Sequence, residues 1–71
     1  MKPTVGRVVH YQNYGREEGT LSPLAAIVTE TYEDDEMEVA LFVLYPADHF
    51  FRQHVPFSEI PKLAHWNWPP R

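Results

Sequence analysis

Five residues with the right chemistry for gripping a charged ligand fall within ten positions near the start of the chain: Arg7, His10, Tyr11, Tyr14 and Arg16. Tyrosine rings stack on planar bases, and guanidinium groups hold phosphate oxygens through paired, charge-assisted hydrogen bonds. Trp66, far along the chain, adds a larger ring. In this reading Arg7 and Arg16 hold phosphates, Tyr11, Tyr14 or Trp66 stacks on a base, and His10 donates a hydrogen bond. The same residue types also dominate the hot spots of protein interfaces and fill cores. Three uses therefore stay open: core and interface packing, a small-ligand pocket, and a single-stranded nucleic-acid surface. An acidic total charge of −4 weighs against the last.

Other chemistries find less support. The four histidines, His10, His49, His54 and His65, show no H-x-H or H-E-x-x-H spacing, and with Cys 0 a zinc site has no thiolates to draw on. The acidic run Glu33, Asp34, Asp35 and Glu36 lacks the glycine and the alternate oxygen ligands of a calcium loop. It reads better as a solvated hairpin tip, or as a surface that meets a basic protein partner. Ser22 and Ser58 sit beside turn or proline positions, outside any G-x-S-x-G context, and no phosphate loop of the G-x-x-x-x-G-K type occurs. The expectation is a non-enzymatic protein without metal or cofactor.

These residues must be positioned by a small body. The 71 residues form one domain at most, covering 1–71. A chain of this size buries only ~60% of the surface its unfolded form exposes. With no disulfide to help, a homo-oligomer is the expected remedy. The six basic residues are scattered, whereas six acids crowd between Glu30 and Glu38. Duplex nucleic acid is thus not an expected partner, because a duplex binder shows a basic face. The start of the chain lacks a secretory apolar core, and the longest apolar stretch, "VALFVLYPA", is too short to span a bilayer as a helix.

Period-two alternation supplies the elements. "PTVGRVVHYQ" predicts a first strand with Val5, Arg7, Val9 and Tyr11 on one face. "LAAIVTETY" and "EVALFVLYP" predict a second and third strand, the third apolar on both faces. "FFRQHV" predicts a fourth, and "PFSEIPKLA" has room for one helical turn between prolines. "HWNWP" predicts a short closing strand paired with the first, its tryptophans capping a core short of volume. The fold class expected is all-β: a small curled antiparallel sheet or SH3-like barrel of four to five short strands, closed to protect its edges.

Three of these segments, "PTVGRVVHY", "LAAIVTETY" and "HWNWPP", together resemble a family of small accessory proteins encoded by tailed bacteriophages and prophages. The corresponding positions are Gly6, Arg7, His10, Tyr11, Ala26, Ile27, Val28, Thr29, Trp66 and Trp68. The chain departs from that pattern at Asn67, where histidine stands in the family, with His65 one place earlier. The resemblance implies a protein of the cytoplasm of an infected bacterial host, serving host takeover or anti-defence. It implies an oligomeric sponge for a nucleotide second messenger, or an inhibitor that meets a host protein through its acidic hairpin. A virion component and a nucleotide-cleaving enzyme are the further alternatives.

Overall fold

The computed structural model describes residues 1–70; Arg71 lies outside the described residues. Five strands follow in order: β1 (Val8–Tyr14), β2 (Leu21–Thr31), β3 (Val39–Leu44), β4 (His49–Val55) and β5 (Trp66–Asn67). They form one antiparallel sheet in the order β4-β3-β2-β1-β5. β-branched and aromatic side chains account for the first four, with period-two burial clearest in β2. The first strand starts later than the alternation predicts. Gly6 adopts φ 94°, and the Arg7 amide closes a turn onto the Thr4 carbonyl at 3.1 Å. Val5 is consequently exposed and does not share the core with Val9.

The connections follow from local chemistry. Between β1 and β2, the Gly15 amide donates to the Thr20 carbonyl at 2.8 Å, so closely that a Cβ at Gly15 would collide with the Thr20 hydroxyl. Between β2 and β3, the Asp35 carboxylate accepts from the Met37 amide at 3.0 Å and tightens the acidic turn. Residues 56–65 are irregular, without the helical turn their spacing allows; Pro56 and Pro61 interrupt the backbone ladder.

One sheet face carries the core. Val9, Ala26, Val28, Leu41 and Val43 are buried there, and Trp66 fills the centre with none of its surface exposed. The indole nitrogen of Trp66 donates to the Met37 carbonyl at 2.7 Å, across the core from β5. Phe57 and Trp68 pack on its ring, with centroids 4.8 and 5.0 Å away. The backbone of Trp66 is held on both sides. It pairs with Tyr11 of β1, while its amide donates to the Pro56 carbonyl and its carbonyl accepts from the Ser58 amide, each at 3.0 Å.

The expectation of an SH3-like barrel or a curled sheet is corrected by the strand order. β4 and β5 are the two edges of an open sheet that is neither closed into a barrel nor strongly curled. The physical reason lies in the segment that leaves β4. It meets β5 through a single parallel bridge, Phe57 to Trp66, instead of a ladder. β5 contributes two residues, too few for a second ladder.

Candidate binding surfaces

The six residues first considered as a ligand set are divided by the sheet. Tyr11 is 5% exposed, its ring edge-on to Phe50 at 5.9 Å, and Trp66 is buried outright. Neither presents a face for stacking, because strand alternation turns both into the core. Tyr14 ends β1 and is 75% exposed, with Arg16 in the loop beyond it. Arg7 precedes the other end of β1, so seven residues of strand set it ~24 Å from Tyr14. His10, half-buried, lies between them on the opposite sheet face from Tyr11. One ligand of nucleotide size does not span this set.

Arg7 instead meets a ring that the first reading left out. Its guanidinium carbon stands 6.0 Å from the centroid of Trp68. Met1, Gly6, Val8, Pro69 and Pro70 complete an open groove of about 730 Å³ around the pair. The groove is built on fixed elements. The Gly6 amide donates to the Val28 carbonyl at 2.8 Å, and the Val28 amide donates to the Arg7 carbonyl at 2.9 Å, tying this corner to β2. Trp68 is fixed edge-on against buried Trp66. The Arg7 side chain donates to the Met1 sulfur at 3.3 Å, and no carboxylate among the described residues pairs with it. A cation with no counterion among the described residues, beside a half-buried indole, can hold an anionic group and a planar ring together. The W-x-W spacing carried the clue: two tryptophans of equal parity share a face, and a short tail sinks only one of them fully.

The acidic surface is as the sequence places it. Glu33, Asp34, Asp35 and Glu36 are all exposed on the β2–β3 connection, and Glu36 pairs with Lys2 at 3.3 Å. Behind them Glu38 meets His54 at 3.2 Å, and the His54 ring stacks on Tyr32 with centroids 4.4 Å apart. This clasp ties β4 to the base of the acidic turn. Among the described residues, no group of three or more His, Asp or Glu side chains is placed to hold a metal ion. Among the same residues, no helix is long and apolar enough to cross a membrane. Comparison with protein-family models, with curated proteins and with solved structures finds no match for this chain.

Proposed function

We propose that the protein is a non-catalytic binder whose Arg7–Trp68 groove takes a small anionic ligand with a planar ring, a nucleotide messenger being the class that fits the two side chains. The observation that carries this reading is the Arg7 guanidinium, without a carboxylate partner among the described residues, beside Trp68 in a groove of about 730 Å³. Phosphate answers the guanidinium, and a base answers the indole face. The phage-like segments add a setting, the cytoplasm of an infected bacterium, where retaining such a signal would blunt a defence response.

The test is a titration of the full chain with cyclic dinucleotides and nucleoside monophosphates, with inorganic phosphate as control, followed by tryptophan fluorescence. Saturable binding that leaves the ligand mass unchanged supports the reading. Arg7→Ala should weaken it about 10–100-fold, the value of one charge-assisted hydrogen-bonded contact. Binding that ignores Arg7→Ala would refute the site, and a changed ligand mass would replace a binder with an enzyme.

A second reading rests on the four exposed carboxylates from Glu33 to Glu36. They offer a negative surface to a basic host protein, and Asp34→Lys with Asp35→Lys should weaken that complex while nucleotide titrations stay the same.

A further inference from the structure

Met1 holds a place in the Arg7–Trp68 groove that the ligand reading leaves unused. Its sulfur accepts from Nη2 of Arg7 at 3.3 Å, and the side chain lines the groove with Trp68. Met1 is 71% exposed, yet the segment that carries it is tethered. Pro3 is buried, Lys2 pairs with Glu36 at 3.3 Å, and the Thr4 carbonyl accepts from the Arg7 amide. The thioether thus rests on the one guanidinium the ligand needs, while it stays open to small molecules in solution. Met37, the other methionine of the chain, is half-buried against the core and does not line the groove.

We propose that oxidation of Met1 to its sulfoxide turns the groove off by engaging Arg7. The proposal rests on the reading that this groove takes an anionic nucleotide. A thioether sulfur is a weak acceptor, so a phosphate displaces it from the guanidinium at little cost. Hydrogen peroxide changes the contact. The sulfur lone pair attacks one peroxide oxygen, the O–O bond breaks and an S–O bond forms. The departing hydroxide takes the proton from the new S–OH group and leaves as water. Sulfur loses two electrons and peroxide gains them.

The sulfoxide oxygen carries partial negative charge, and the guanidinium donates to it through a charge-assisted bond. The unbranched Met1 side chain has the rotational freedom to present that oxygen. A ligand phosphate then competes with an acceptor built into the chain, tethered beside Arg7 by the buried Pro3 and the Lys2–Glu36 pair. Replacing a weak acceptor with a strong one should lower ligand affinity about tenfold. The change is reversible. Methionine sulfoxide reductases return the thioether, with two thiols oxidised to a disulfide and the oxygen released as water.

The experiment treats the full Met37→Leu chain with hydrogen peroxide, so that Met1 is the one thioether left. Leucine nearly conserves the volume at position 37 and keeps the carbonyl that Trp66 uses. Intact mass confirms that Met1 is present and carries one added oxygen. The first readout needs no ligand: phenylglyoxal labels free guanidinium groups, and peptide mass spectrometry follows Arg7 with Arg16 as internal standard. Arg7 labelling should slow about tenfold on oxidation and recover after reductase treatment. The second readout is titration with the cyclic dinucleotides and nucleoside monophosphates used above. Affinity should fall about tenfold on oxidation, and in Arg7→Ala oxidation should cause no further loss. Arg7 labelling that is unchanged or faster overturns the switch, and so does binding that survives oxidation or that rises with it. A chain that binds none of the probes before oxidation overturns the ligand reading and the switch with it. Failure of the switch alone is distinct, because the unoxidised chain then still binds.

Discussion

Replacing Trp66 with alanine should bring the domain close to the limit of folding. The indole is wholly buried, contacts Phe57 and Trp68, and donates a hydrogen bond to the Met37 carbonyl. Truncating a buried tryptophan costs about 3–5 kcal/mol in transfer and cavity terms. The orphaned Met37 carbonyl adds about 1 kcal/mol where water does not reach it. A chain of 71 residues has a total stability of about 4–10 kcal/mol. The expected loss is thus about half or more of that total. In thermal terms each kcal/mol moves the midpoint by about 4–8 °C in a domain this small, so the midpoint falls by at least about 15 °C. Urea titration followed by far-ultraviolet circular dichroism is the suitable assay, because fluorescence would lose one of its two tryptophans. Trp66→Phe separates the terms. It keeps most of the apolar fill but gives up the bond to Met37, and should cost about 1–2 kcal/mol. A Trp66→Ala variant that loses less than about 1.5 kcal/mol, with an unchanged denaturant slope, would refute the view that this ring fills the core.

Three smaller perturbations probe other parts of the structure. The buried Gln12 amide donates to Asn67 at 2.8 Å, so Asn67→Ala leaves it unpaired and should cost about 1–3 kcal/mol by urea titration. Gly15→Ala forces a Cβ onto Thr20; a loss of about 1–3 kcal/mol is expected in the same assay, while Gly15→Ala at wild-type stability would mean the loop yields freely. Asp34→Lys touches only an exposed side chain and should leave the melting free energy within about 0.5 kcal/mol, as read by calorimetry, whereas adding Asp35→Lys also removes the acceptor of the Met37 amide and should cost about 0.5–1.5 kcal/mol more.

Strand alternation made much of this molecule legible in advance. Val9, Val28, Leu41 and Val43 occupy one face because side chains alternate along a strand, and the aromatic tail returns to β1 because its tryptophans need cover. Closure was not legible in the same way. Whether β4 meets β5 depends on the route of residues 56–65, where Pro56 and Pro61 suppress any periodic signal. The spread of the first ligand set was hidden for a different reason. Proximity in sequence placed Arg7 beside Tyr14, yet an extended strand carries neighbours apart faster than any other element. Arg7 and Trp68 meet only because β5 returns to β1, a contact across most of the chain. The apolar outer face was half legible, in that β3 reads apolar on both sides, but its extent needed the register that lines up Val8, Ile27, Phe42 and Phe51.

The two-sided backbone grip on Trp66 sets an order of events during synthesis. Hairpins β1–β2, β2–β3 and β3–β4 join neighbours in the chain and can form as each second strand leaves the ribosome. The plug arrives last: Asn67 meets Gln12 across 55 residues, several seconds of elongation at about 5–20 residues per second. Until Trp66 emerges, the nascent sheet shows its apolar inner face to water, and a stop or a nick between β4 and β5 leaves it in that state. A chain that contains β5 therefore differs from one that stops before it as a sealed vessel from an open one.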